Sequence, residues 1–294
     1  MAIRCRLGFT IVELLASLVV CGIVLAVLAD VAASEQEVLG LLSDRVSGRS
    51  ELQVATNAIA LDVGALRDPS DVRSGEARDS ALEFRQTIAT AVICTSGGGL
   101  VALAPEASAR LLASYLRQPE AGDTAWVLDS AAAWQPATIA AVAKPSAGQC
   151  GAGGPALSTA DQRLPRVILR FATGALLAPG SPMRITRPFR YSFYKSSDRA
   201  WYLGAKDWNS ATGKFNTIQP VGGPFLQPSS TGTSFAYLDS AGLQMATPVT
   251  TPQRIAAVRI TLLAAARRKL ATRLAGASLD STVVTVRVHR ARAP

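Results

Sequence analysis

A single carboxylate stands in the most apolar stretch of this 294-residue chain. Residues 9–29 carry one charged side chain, Glu13, set between Val12 and Leu14. A charge inside an apolar segment of about twenty residues is costly, and it marks a function by default. The chemistry open to it is ion pairing at low dielectric, in which a cation brought to the carboxylate offsets its desolvation. Other reactive groups are sparse. His289 is the only histidine, and no Cys/His spacing suits zinc or a histidine-dependent triad. It reads as an exposed residue at a strand end. The Asp and Glu residues are dispersed, without the spacing of a calcium loop, and no G-x-S-x-G elbow occurs. Gly97-Gly98-Gly99 reads as a turn. Gly213-Lys214 is followed by Phe215 where a phosphate loop needs Ser or Thr. No catalytic residue, no metal ligand and no cofactor are expected.

Glu13 has to be held by its flanks. Arg4 and Arg6 precede the apolar run, and Asp30, Glu35 and Glu37 follow it. The positive-inside rule then leaves the N-terminus cytoplasmic and exports the bulk of the chain, to the periplasm in a Gram-negative cell. The helical pattern continues past residue 29, with no Pro before Asp68-Pro69. Leu52, Ala55, Ile59, Val63 and Leu66 recur every three or four residues, which places them on one helical face. Read as one element, residues 9–67 make a helix of about 90 Å. Its first half is apolar all round and must bury itself in lipid or among like helices, while its second half is amphipathic and packs on its own domain. Gly40 and Gly48 each weaken it by roughly 1 kcal/mol relative to Ala, so a bend or local melting is expected there.

The motif around the carboxylate is Gly8-Phe9-Thr10-Ile11-Val12-Glu13-Leu14-Leu15. A secretory signal puts its cleavage site after the apolar core, whereas here Gly8 precedes the core and ends the basic segment. This arrangement resembles the signal of type IV prepilins and type II secretion pseudopilins. The resemblance implies that a prepilin peptidase cuts after Gly8 and methylates the new N-terminus on Phe9. It also implies that Glu13 guides assembly by neutralising the amino terminus of a neighbouring subunit. The partners it implies are the peptidase, the inner membrane before assembly, other minor pilins or pseudopilins, and the major subunit.

The formal net charge is +9, and removing Arg4 and Arg6 with a leader takes two of those charges away. Such a balance can attract nucleic acid. The basic residues, however, lie scattered through strand-like segments, the nearest clusters being Arg184-Arg187-Arg190, Arg267-Arg268-Lys269 and Arg287-Arg290-Arg292. A solvated face is favoured over a nucleic-acid patch. Cys5 lies in the leader and Cys21 in the apolar helix, which leaves Cys94 and Cys150 beyond the membrane. An even pair in an exported domain suggests a disulfide, the alternative being two buried free thiols. By loop-closure entropy the bridge would stabilise by on the order of 4 kcal/mol.

After a polar linker at residues 68–79 the chain reads as short β-segments. Strand-like patterns cover 81–86, 91–94, 167–171 and 234–238. Residues 125–129 with 134–143 form one hairpin, and 185–194 with 201–204 form another around Ser196-Ser197-Asp198-Arg199. Phe189, Tyr191, Phe193 and Trp201 are the expected aromatic core, in preference to a stacking surface for single strands. Residues 144–165, with Cys150, read as an ordered loop, and 207–234 as loop. Residues 255–263 and 282–289 alternate and should pair antiparallel. The expected fold is α+β: one long N-terminal helix packed on a mainly antiparallel sheet, as in pilins. The expected divisions are a leader at 1–8, a transmembrane and assembly helix at 9–29, its amphipathic continuation at 30–68 and a periplasmic β-rich domain at 69–294. The parts after the linker look like minor pilins and J-type pseudopilins. The expected function is therefore a minor pilin or pseudopilin, a structural subunit of a type IV pilus or type II secretion pseudopilus, placed in a tip or priming complex. The alternatives are a DNA-binding or adhesive minor pilin, and an unprocessed membrane-anchored periplasmic binding domain.

Overall fold

The apolar run and the periodic stripe form one helix, α1 (Ile11–Gly64, 54 residues). The computed structural model describes residues 11–129, 133–172, 177–229, 232–265 and 280–288. Cys5, Gly8, Phe9 and His289 therefore lie outside the described residues. The N-terminal half of α1 contains an 18-residue window of mean hydropathy 2.8, none of it buried. In the C-terminal half, Leu52, Ala55, Ile59 and Val63 are the buried face, as their spacing requires, and Leu66, just past the helix, is buried with them.

The helix runs unbroken through Gly40 and Gly48, without local melting at either. Gly48 is instead a point of close approach, where an added Cβ would lie 3.2 Å from the Cβ of Ala264. The element also ends at Gly64, short of Arg67. The Leu66 N–H turns to Val63 O, an i−3 bond that tightens the last turn. Asp68 then caps a 3-10 turn over Pro69–Asp71, with Asp71 closing the capping box.

The strands follow in chain order: β1 (Ala81–Gly97), β2 (Leu100–Leu103), β3 (Ala113–Tyr115), β4 (Thr124–Leu128), β5 (Trp134–Ser146) and β6 (Arg166–Phe171). After them come β7 (Pro182–Lys195), β8 (Trp201–Asn209), β9 (Lys214–Phe215), β10 (Gln219–Phe225), β11 (Ser234–Leu238), β12 (Ala257–Ala264) and β13 (Asp280–Arg287). Every ladder between them is antiparallel. They serve two cores. In the first, α1 lies across β13, β10 and β12. Its buried stripe meets Phe84, Phe189, Tyr191, Phe193, Phe225 and Phe235, and Trp201 packs against the cluster half-buried. The expected aromatic core is the observed one, and β12 and β13 pair along their whole length.

The second core was not expected. The pairings β1–β7, β7–β4, β4–β5, β5–β6, β6–β2 and β2–β1 form a ring, so this part of the sheet closes into a barrel. Alternate residues point inward from each strand: Ala91 and Ile93, Val101 and Leu103, Ala125 and Val127, Ala137 and Ile139, Leu169 and Phe171, Met183 and Ile185. The period of two is what a barrel wall demands. At 17 and 14 residues, β1 and β7 are long enough to belong to both cores. Register shifts at Thr87/Ala89 and at Ile93/Thr95 bend β1 between the two.

Residues 207–234 are a correction, since they hold the end of β8, all of β9 and β10, and the start of β11. β10 reads Gln-Pro-Val-Gly-Gly-Pro-Phe, a string of breakers. The glycines answer to packing rather than to a turn. A Cβ on Gly222 would meet Glu51 O at 3.1 Å and Ala55 Cβ at 3.2 Å, so only glycine lets α1 sit this close to the strand.

Candidate functional site

Glu13 lies near the start of the described part of α1. Around it Ile11, Val12, Leu14 and Leu15 are exposed, and the exposed apolar surface continues along the helix through Val31. Burying a Val, Leu or Ile side chain is worth about 1.5–3 kcal/mol. Covering this whole run therefore releases on the order of tens of kcal/mol. An isolated chain in water cannot keep such a helix. It belongs in lipid or against other helices. Cys21 is a free thiol on the same exposed surface.

What the helix carries is fixed to it by polar locks as well as by the apolar stripe. Asp62 on α1 accepts a hydrogen bond from Tyr191 Oη at 2.6 Å and another from Gln86 Nε2 at 2.9 Å. Burial and then the Asp62 carboxylate raise the Tyr191 phenol above its ordinary range, so it stays a donor. Nearer the middle of the helix, Glu51 Oε2 accepts the N–H of Gly223 at 3.3 Å. Apolar, aromatic and hydrogen-bonded contacts together leave α1 one seat on the sheet.

The disulfide joins Cys94 on β1 to Cys150 in the loop after β5. Buried Arg166 serves the same loop. It donates to Ser146 O, to Gln149 O and to the Cys94 sulfur, and burial lowers its pKa. The loop expected at residues 144–165 is thus tied to the barrel both covalently and by hydrogen bonds, although its first residues extend β5.

The cluster Arg184-Arg187-Arg190 is neither a solvated face nor a nucleic-acid patch. Arg184 forks onto Asp71 at 2.7 and 3.0 Å. Arg187 forks onto Asp123, a carboxylate with 0% exposure, at 2.8 Å through two nitrogens. The Asp123 hydrogen bond, outweighing desolvation, raises the Arg187 pKa further. Arg190 reaches Glu83 and Glu76 at 3.5 Å. Each of these guanidiniums is met by a carboxylate where it stands on β7. Of the other basic clusters, only Arg287 falls among the described residues, and it is exposed. No group of three or more His, Cys, Asp or Glu among the described residues could hold a metal ion.

The sequence did not point to the outer wall of the barrel. There Thr90, Arg184 and Trp126 stand side by side on β1, β7 and β4, and Trp134 lies at the start of β5. The available signal was alternation within 124–128, where Ala125 and Val127 are buried and Trp126 takes the other face.

Residues 3–29 match the family described as the prokaryotic N-terminal methylation motif. The match spans Gly8, Phe9 and Glu13, and the long apolar helix runs on from it. No curated protein and no solved structure matches the chain.

Proposed function

We propose that this chain is a prepilin-peptidase substrate that becomes a minor pilin or pseudopilin, a structural subunit and not an enzyme. The observation that carries the reading is the methylation motif at residues 3–29 continuing into a helix whose apolar first half is exposed. Cleavage after Gly8 would leave Phe9 as a methylated amino terminus, close in sequence to Glu13. Before assembly the helix crosses the inner membrane once, with its N-terminus cytoplasmic and its β-rich domain periplasmic. In the filament the same surface packs among the helices of other subunits. Glu13 there meets the amino terminus of a neighbour, and the pairing contributes register more than net stability, since it mainly offsets the desolvation of two charges. The length of the chain favours a minor subunit at the tip or in a priming complex.

Two substitutions separate processing from assembly. Gly8→Ala should leave the leader attached, seen as an unshifted band when the chain is expressed with the peptidase. Glu13→Ala should be processed normally yet fail to enter sheared filaments or to co-purify with other subunits. Normal incorporation of the Glu13→Ala chain would remove the proposed role of that carboxylate. A nucleic-acid role is not favoured, because the central arginine cluster is already paired with carboxylates.

A further inference from the structure

A groove of about 810 Å³ runs along the outside of the barrel, between its wall and the connection that follows α1. Its floor is β1, β7 and β4, including Thr90, Val92, Arg184 and Trp126. Arg67, Asp68 and Ser70 form one side, and Leu111 and Trp134 lie at its rim. The volume is that of a ligand cleft, and the lining has the usual composition of one, mainly hydrocarbon and indole with a few polar groups.

Leu111 is 84% exposed and sits at φ 51°, in the left-handed region that a branched side chain avoids. It is nevertheless held in place. Its N–H donates to Ser108 O, the next N–H donates to Ser108 Oγ, and Leu112 O accepts from Val92. Trp134 adds a second large apolar side chain, 41% exposed. These are two apolar anchors presented on fixed backbone and exposed among the described residues.

The charge of the groove is net positive. Asp71 is paired with Arg184, while Asp68, which accepts the Ser70 N–H, keeps its charge beside Arg67. Arg67 and Arg85 have no carboxylate partner among the described residues. Arg85 lies over the Trp126 ring at 5.6 Å and donates to Ser70 O at 3.4 Å, so its charge is held at the mouth. The complement is an acidic partner. Backbone pairing decides its form. At the floor β1 is paired by β3 and β7, β7 by β1 and β4, and β4 by β7 and β5. The Tyr115 N–H at the far edge of β3 is taken by Glu106. No strand can be added along the floor, so a chain lying on it must satisfy its own backbone and be held by side chains. Sugars are disfavoured by the scarcity of hydroxyl and amide side chains around the groove. Single-stranded bases are disfavoured because Arg85 and Arg184 both lie over Trp126.

We propose that this groove is the docking site for an acidic amphipathic helix of a partner polypeptide, whose apolar side chains pack on Leu111 and Trp134 while its carboxylates meet Arg67 and Arg85. The site goes beyond filament assembly and does not depend on processing of the N-terminus. The test uses the full chain in nanodiscs and a phage library of random 16-residue peptides, counter-selected against the Leu111→Asp/Trp134→Ala double variant. Enrichment of net-negative clones with apolar residues three and four apart is expected. A synthetic peptide of that consensus should bind at least ten-fold more weakly to Trp134→Ala, Leu111→Asp or Arg67→Glu, each a surface change. The Gly8→Ala chain should bind it as the wild type does, which keeps this result separate from the proposal on processing. Three results would each overturn the assignment. They are no enrichment, enrichment without acidic bias or insensitive to the three variants, and Trp134-dependent binding of polygalacturonate or oligo-dT in place of peptide.

Discussion

Tyr191, Asp62, Arg187 and Asp123 carry little of the surface chemistry and much of the structure's specificity. Tyr191→Phe removes the donor to Asp62 and should cost about 1 kcal/mol of unfolding free energy, measured by urea titration. The same group gives a pH dependence. Its folded pKa is raised above the ordinary value of about 10, so its contribution is complete below pH ~10 and is lost as pH rises beyond it. Stability of the wild type should therefore fall in the alkaline range, and Tyr191→Phe should flatten that slope. Tyr115 and Tyr237 are raised by burial too, so some slope remains. Arg187→Ala is the harsher change. It leaves Asp123 buried without its cation and should destabilise by about 3–5 kcal/mol. Replacing both by apolar residues should recover much of that loss, since the pair mainly offsets its own desolvation.

The elements were unevenly legible, for physical reasons. The α1 stripe from Leu52 to Val63 was plain, because a helix packed on one side repeats its apolar residues with the period of its turn. The β4–β5 hairpin, the β7–β8 hairpin and the β12–β13 pair were plain for the matching reason in strands. β10 was hidden because its Pro and Gly residues signal a break, while only the three-dimensional approach of Glu51 and Ala55 explains Gly222. Gly222→Ala should thus cost about 1–3 kcal/mol, seen as earlier hydrogen exchange in the C-terminal half of α1. β1 read as two pieces because its bulges interrupt the alternation where the strand passes from one core to the other. At the candidate site, Glu13 was legible as a lone charge, whereas the groove was not. Trp126 and Leu111 meet there through closure of the barrel, and no local pattern encodes closure. Cys94→Ser with Cys150→Ser should cost on the order of 2–4 kcal/mol in thermal unfolding. The packing of α1 should survive it, because the bridge lies in the barrel and not in the helix–sheet core.

At the scale of the whole molecule, the chain divides labour along its length. An exposed apolar helix carries the methylation motif, a helix–sheet core seats that helix, and a closed barrel extends from the same two long strands. The central claim is that the molecule becomes an assembly subunit only after its N-terminus is remade. The most direct measurement is the mass of the N-terminal peptide from chain expressed together with a prepilin peptidase. A peptide beginning at methylated Phe9 is expected, absent when Gly8 is replaced by Ala. An intact Met1 terminus, or cleavage after the apolar segment, would contradict it.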